Sequence, residues 1–382
     1  MKRFVLLLTV LPLVVSLGIP AQAVELNLAG KSALLMDVNT GTVLYESNSH
    51  EKLAPASVTK IMTMLLIMEA VDSGKITMED MVTASETAAA KGGSQIFLKA
   101  GETMPVSDML KSIAVSSAND CACAMAEHLA GSEQAFVGMM NERAKELGMN
   151  DTNFVNCTGL DDGEGAQNHK TSAYDIALMS RELLKNHPDI KKFTTIWMDT
   201  VRNGTFGLSN TNKLVRFYQG ATGLKTGFTT GAGYCLSATA ERDGMELIAV
   251  IMGADTSTNR NAACKSLLDY GFANFAVVTP ELSEAEPVQV KLGKTDNVSA
   301  ILGEKGGLLV DKGQRNGITM ELAVEEMVKA PVSQGQRLGT LTIKSGEQVL
   351  KEIPLVAQEG VERLTLGDLF VRVLKRVAMA KT

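Results

Sequence analysis

The chain of 382 residues predicts an α/β fold of the α+β kind, in which an antiparallel sheet carries helices on its faces. A small all-β domain and a C-terminal amphipathic helix follow. Three observations predict this. Apolar residues recur at helical spacing over much of residues 60–184, the pattern turns to strand after Gly220, and an alternating region begins beyond a polar stretch near Pro280. A hydrophobic share of 45% with 21% charged residues suits two globular domains. The net charge of −6 is mild and dispersed, without the basic footprint that a nucleic-acid partner needs.

The first segment reads as an export signal over residues 1–23. Lys2-Arg3 precedes an apolar run from Phe4 to about Leu17, and Ala21-Gln22-Ala23 offers a small-residue cleavage site. The run is short for spanning a bilayer and ends in Gly18-Ile19-Pro20, so the mature chain is expected to begin near Val24. Residues 24–279 form the expected main domain. Within it, Ser32 to Glu46 reads as a hairpin turning at Asn39-Thr40-Gly41. Ile61 to Val71 reads as a buried helix, and helical spacing continues over Val106 to about Leu129, Gln134 to Leu147 and Thr171 to Leu184. The Asn-, Asp- and Gly-rich stretch from Met149 to His169 predicts a long ordered loop.

Three consecutive antiparallel strands are expected at Thr222–Gly227, Gly233–Thr239 and Glu246–Met252, closed by a helix from Asn259 to Phe275. The all-β domain is expected over residues 280–360, with strands at Val288–Leu292, Arg337–Lys344 and Val349–Val356. From Val361 to about Met379, within a last segment of 361–382, Leu364, Leu366, Leu369, Phe370, Val373, Leu374 and Val377 repeat at helical spacing. Arg363, Arg372, Lys375, Arg376 and Lys381 add positive charge. That combination suits a helix lying in the headgroup region of an anionic bilayer.

Two negative findings narrow the chemistry. The four histidines, His50, His128, His169 and His187, show no metal-ligand spacing such as HExxH, so neither a zinc site nor a Ser-His-Asp triad is supported. The five cysteines, Cys121, Cys123, Cys157, Cys235 and Cys264, are an odd number in an exported chain, and most read as buried small apolar thiols.

The positive signal is a serine and a lysine ahead of the apolar helix, Ser57 and Lys60. Positions i and i+3 of a helix share a face, so the Lys60 amine reaches the Ser57 hydroxyl. A serine hydroxyl is a poor nucleophile until a base takes its proton. Free N–H groups at a helix start also favour negative charge near that oxygen. Ser-x-x-Lys alone recurs by chance. Here it is followed by Ser117-Ala118-Asn119 inside the second helical block and by Lys225-Thr226-Gly227 on the first strand after the helices, which together form the trio of penicillin-recognising serine enzymes.

On these motifs the chain resembles the low-molecular-mass penicillin-binding proteins that are serine-type D-alanyl-D-alanine carboxypeptidases. The resemblance extends to Asp37 and Gly41 in the first hairpin, Phe97-Leu98-Lys99, Asp120, Ala135 to Asn141, and Gly159-Leu160-Asp161. It implies the penicillin-recognising serine enzyme fold and acyl transfer without metal or cofactor. Ser57 would attack the bond between two terminal D-alanines of a peptidoglycan stem peptide. Lys60 is favoured as base, other proton acceptors staying open; burial and a nearby cation such as Lys225 would lower its pKa.

Ser117 would relay a proton to the departing amine, and Asn119 would orient Lys60 and the substrate amide. Lys225 and Thr226 would hold the substrate carboxylate, Gly227 would let the substrate lie beside the strand, and the N–H groups of Ser57 and Phe228 would hold the oxyanion. Further implied are covalent binding of β-lactams, an extracytoplasmic location, and attachment of the C-terminal helix to the outer face of the cytoplasmic membrane. Two departures stand out: Phe228 replaces a polar ring found in some relatives, and Ala118 fills the middle of the second motif.

Two rival functions are a β-lactamase and a non-catalytic penicillin or cell-wall sensor. The first would use a loop glutamate, yet Glu164 is followed by Gly165-Ala166-Gln167-Asn168 and does not match the class A pattern. The second would need a membrane-spanning link, for which no mature segment is long and apolar enough.

Overall fold

A computed structural model describes residues 26–163, 165–282, 286–304 and 306–379, so the export segment read over residues 1–23 lies outside the described residues, as does Glu164. The centre of the first part is a five-stranded antiparallel sheet. Strands β1 (Ser32–Asp37), β2 (Val43–Ser47), β3 (Ala221–Thr229), β4 (Gly233–Arg242) and β5 (Met245–Ala254) are ordered β2-β1-β5-β4-β3. Every residue of β1 is buried because both faces are covered. Leu34 and Met36 face one core with Ile248 and Val250, while Ala33 and Leu35 face another with Leu247, Ala249 and Ile251. Strand β3 is left at the sheet edge.

Helix α1 (Lys60–Asp72) is buried continuously from Lys60 to Met68, which is why its sequence is apolar on all sides. It is surrounded by α2 (Val106–Ser116), α3 (Asn119–Ala130), α4 (Glu133–Glu146) and α5 (Ala173–Asn186). Helix α6 (Ser257–Asn274) covers the other sheet face, packing Cys264, Leu267 and Leu268 there. Ser132, Ser172 and Thr256 start α4, α5 and α6 by accepting a backbone N–H three residues on.

The expected single helix from Val106 to Leu129 is broken. Ser117 adopts φ 63°, a left-handed conformation that cannot continue a right-handed helix. Ala118 N–H donates back to Ser112 O at 3.2 Å, and Asn119 N–H leaves the helix path to donate to Ser94 O at 2.7 Å. Ser117-Ala118 is thus a corner between two helices, and Asn119 opens the second of them. Two short hairpins, Met81–Thr83 with Thr103–Pro105 and Met198–Val201 with Phe206–Ser209, were not expected; each strand is too brief to display a period.

The second part contains a four-stranded sheet ordered Ala300–Leu302, Gln348–Ala357, Arg337–Ser345 and Ile318–Val324, beside a three-stranded one through Val288–Lys291. The division expected at residue 280 is bridged by a ladder, since Phe275–Val278 pairs antiparallel with Leu308–Asp311. Helix α7 (Leu366–Met379) begins later than the expected Val361. Val361 instead exchanges backbone hydrogen bonds with Val332 and is buried in the β core. Thr365 and Asp368 then form a reciprocal cap, Thr365 N–H donating to Asp368 Oδ2 at 2.9 Å and Asp368 N–H to Thr365 Oγ1 at 3.2 Å. Leu366, Phe370, Val373 and Leu374 are exposed on this helix, which is tied back by Arg372 to Asp296.

Candidate active site

A one-turn 3-10 helix, Ala56–Thr59, feeds directly into α1. It presents Ser57 half-buried, and Lys60 follows at the first α-helical residue. Lys60 Nζ donates to Ser57 Oγ at 2.8 Å and to Thr158 O at 2.8 Å. The i, i+3 contact expected from the motif is therefore present. Burial pushes the Lys60 amine down to about 7, partly opposed by Cys157 and Asp120. An amine of that basicity is neutral often enough near neutral pH to accept a proton from a hydroxyl.

Asn119 does not hold Lys60 as expected. Its Nδ2 donates to Gly92 O at 2.7 Å, and the second partner of Lys60 is the Thr158 carbonyl from the long loop. Ser117 Oγ and Asn119 Oδ1 are both buried and lack a hydrogen-bond partner among the described residues. Buried polar atoms are normally paired, so these two are free to bind something that enters.

Lys225 lies in mid-strand on β3, buried, with Nζ donating to Thr226 O at 2.9 Å. Its pKa is held well below the usual value, by burial first and then by the charges of Lys60 and Arg260. The charge of Lys60 is among the causes that lower Lys225, whereas for Lys60 the first cause is burial. Thr226 Oγ1 donates to Thr211 Oγ1 at 2.7 Å, and Thr211 N–H donates to Val115 O at 3.1 Å near the end of α2. That chain of bonds links the Lys-Thr-Gly strand to the Ser-x-Asn corner.

Gly227 is required by close approach. A Cβ there would lie 2.6 Å from Pro55 O and 3.1 Å from Ser57 N, so only glycine lets β3 pass this near the serine turn. Phe228 is exposed and stacks on Tyr234 with ring centroids 4.3 Å apart. Sequence reasoning missed Arg260, a buried residue of α6 whose guanidinium contacts Asn261 Oδ1 at 3.1 and 3.0 Å. Neither Lys225 nor Arg260 hydrogen-bonds a carboxylate among the described residues. Two buried cations so placed suit an anionic group entering the cleft. Nothing in the spacing of a lone arginine after the strands could have announced it.

The one cluster of metal-ligand type among the described residues, Glu69, Glu182 and His187, lies elsewhere. Arg143 already holds both carboxylates, at 2.7 Å to Glu69 Oε1 and 2.6 Å to Glu182 Oε1. All five cysteines are buried and unbridged.

Residues 19–256 match the family model described as D-alanyl-D-alanine carboxypeptidase, and residues 280–363 match that of the penicillin-binding protein 5 C-terminal domain. The D-alanyl-D-alanine carboxypeptidase DacF of Bacillus subtilis is 46% identical over 358 residues, spanning 92% of this chain and 90% of that protein. Among solved structures, penicillin-binding protein 5 from Haemophilus influenzae superposes with a TM-score of 0.72 at 29% identity, covering 89% of this chain and 99% of that one. Penicillin-binding protein D2 from Listeria monocytogenes, solved in an ampicillin-bound form, gives a TM-score of 0.57 at 33% identity over 65% of this chain and 99% of that one.

Proposed function

Because the chain belongs to the D-alanyl-D-alanine carboxypeptidase family, whose serine-type members hydrolyse the terminal D-Ala-D-Ala bond, we propose how its own residues carry out that reaction. Neutral Lys60 takes the proton of Ser57 Oγ as the oxygen attacks the carbonyl between the two D-alanines. The oxyanion is held by the N–H groups of Ser57 and Phe228. Ser117 Oγ passes its proton to the departing D-alanine nitrogen and takes in exchange the proton held on Lys60, which returns Lys60 to its neutral form, and Asn119 Oδ1 accepts from a substrate amide. Water then cleaves the acyl-enzyme, with Lys60 again as the base. Lys225 and Arg260 bind the terminal carboxylate, assisted by the Thr226 hydroxyl. The substrate lies along the free edge of β3 as an added strand.

The observation that carries this reading is the 2.8 Å contact of a buried, weakly basic Lys60 with Ser57 Oγ. β-Lactams present the same reacting carbonyl, and acylate Ser57 to a long-lived adduct. The natural substrate is a peptidoglycan stem peptide outside the cytoplasm, which fits the export signal read over residues 1–23. Functionally, residues 24–279 carry the chemistry, 280–360 are the all-β domain, and the segment 361–382 attaches the protein to the outer face of the cytoplasmic membrane through the exposed apolar residues of α7.

The test pairs wild-type protein with Ser57→Ala. Free alanine from a D-Ala-D-Ala peptide and a labelled-penicillin adduct mapped to residue 57 by mass spectrometry are expected only with Ser57 present. Persistence of both in Ser57→Ala removes the assignment. For attachment, removal of residues 366–382 is expected to abolish co-sedimentation with anionic vesicles and to spare alanine release.

A further inference from the structure

The turn bearing Ser57 is held from behind by two side chains that the acyl-transfer scheme leaves unused. Ala56, immediately before the serine, has φ 48°, a left-handed conformation that a residue with a Cβ seldom adopts. Its carbonyl oxygen accepts a hydrogen bond from Thr59 Oγ1 at 2.9 Å. Thr59 Oγ1 in turn lies 2.8 Å from Nε2 of His169, which comes from the end of the long loop. Both side chains are buried.

The direction of these bonds follows from the backbone. Val155 N–H donates to His169 Nδ1 at 3.0 Å, so Nδ1 carries no proton. The neutral ring therefore holds its hydrogen on Nε2 and donates it to Thr59 Oγ1. With a lone pair of Thr59 engaged that way, its own hydrogen is left for Ala56 O. Gly159 closes the arrangement: at φ +82° it packs so tightly that a Cβ would fall 1.8 Å from Ala56 O and 2.7 Å from Thr59 Oγ1.

The consequence lies in the geometry of one peptide unit. Ala56 C=O and Ser57 N–H share a planar trans peptide and point in opposite directions. Holding the carbonyl toward Thr59 aims the Ser57 N–H away from it, on the side where Gly227 passes, with a Cβ position 3.1 Å from Ser57 N. We infer that His169 and Thr59 are positioning residues, which orient the Ala56–Ser57 peptide so that the Ser57 N–H meets the oxyanion. This rests on the assignment of Ser57 as nucleophile and its N–H as oxyanion donor.

His169 is not a base in this scheme, since both ring nitrogens are committed. It stays neutral because burial, then the charges of Lys170 and Lys60, hold its pKa at about 4. Its remaining aromatic neighbour, Phe154, packs edge-on at 5.7 Å.

Thr59→Val keeps the side-chain shape and removes the hydroxyl; Thr59→Ser keeps the hydroxyl. For a D-Ala-D-Ala peptide, Thr59→Val is expected to lower kcat about 10- to 100-fold, somewhat less than loss of an oxyanion donor outright, with KM within about twofold. Acylation by labelled penicillin and affinity for a peptide boronic acid fall by a similar factor, while Thr59→Ser stays within about threefold of wild type. His169→Gln carries the same test, with the same kcat-selective loss expected, should Thr59→Val fail to fold. Wild-type acylation in Thr59→Val, an equal loss in Thr59→Ser, or a change confined to KM would overturn the inference. Ser57→Ala in parallel separates the two assignments. If it releases no alanine while Thr59→Val is fully active, the positioning role alone is lost; if it releases alanine, the nucleophile assignment is lost too.

Discussion

The two parts of the molecule treat charge in opposite ways. In the first, Lys60, Lys225 and Arg260 are exposed by only 0%, 1% and 5%. In the second, Lys294 pairs with Glu362, Lys344 with Glu321 and Arg372 with Asp296, all with at least one partner largely in water. The same ammonium group therefore has opposite fates. Burial drives Lys60 down to about 7, whereas the hydrogen bond that Lys294 donates to the Glu362 carboxylate raises Lys294 above the usual lysine value. The difference comes from layering. The main sheet is covered on both faces, while Ile318–Val324 is an edge strand exposed along most of its length. A desolvated cation is costly to fold around, and this chain accepts that cost at the cleft, where Lys60 is the proposed base and Lys225 and Arg260 the proposed partners of a carboxylate.

The comparison is most sharply broken at the nucleophile. Ser57→Ala should reduce alanine release by about 10⁴-fold or more while leaving the fold intact, as removal of a covalent nucleophile does elsewhere. Retained turnover would mean that the Ser57–Lys60 pair does not carry the reaction.

The next largest effect concerns pH. If neutral Lys60 is the base, acylation by labelled penicillin should rise about tenfold per pH unit below the Lys60 value of about 7 and level off above it. A flat profile from pH 5 to 8 would exclude Lys60 as the titrating base.

Arg260→Gln should lower kcat/KM about 10- to 100-fold for a peptide with a free terminal carboxylate, and much less for the corresponding terminal amide. Equal losses on both substrates would show that Arg260 acts on structure and not on the carboxylate.

Stability sharpens the contrast further. Burial holds folded Lys60 at about 7 against 10.5 for an ordinary lysine, so between those values the unfolded chain binds more protons and stability rises with pH. Lys60→Met should therefore raise the melting temperature, and by more at pH 6 than at pH 9, although it abolishes turnover. The smallest effect is expected at the surface pair: Glu321→Gln should change stability by about 0–1 kcal/mol and leave alanine release unaltered.

Much of the site was legible because its parts are local. Ser57 and Lys60 are one turn apart, and Lys225-Thr226-Gly227 sits in a strand set off by the glycine-rich turn after it. The corner at Ser117 was not legible, because the apolar spacing runs on through it and only the bond from Asn119 N–H to Ser94 O betrays the break. Arg260, Thr158 and His169 were missed for a related reason. Thr158 and His169 act through contacts with Lys60 and Thr59, far away in sequence, Arg260 acts through its charge near Lys225, and their surroundings carry no period or motif. In the second part, the strands at Val288–Lys291, Arg337–Ser345 and Gln348–Ala357 were anticipated, while Ile318–Val324 was not, since an exposed edge strand has no buried face to write into its sequence.

What the amino-acid sequence determined by itself was the order of the reactive groups, the elements that carry them, and the family to which they point, since helix faces and strand alternation are short-range consequences of residue type. What only the tertiary structure decided was the chemistry of those groups. The basicity of Lys60, the freedom of Ser117 Oγ and the aim of the Ser57 N–H all depend on water being excluded by distant segments, and on carbonyls and hydroxyls that those segments bring within hydrogen-bonding reach. Desolvation and hydrogen-bond direction are properties of a packed neighbourhood, and no stretch of sequence contains its own neighbourhood.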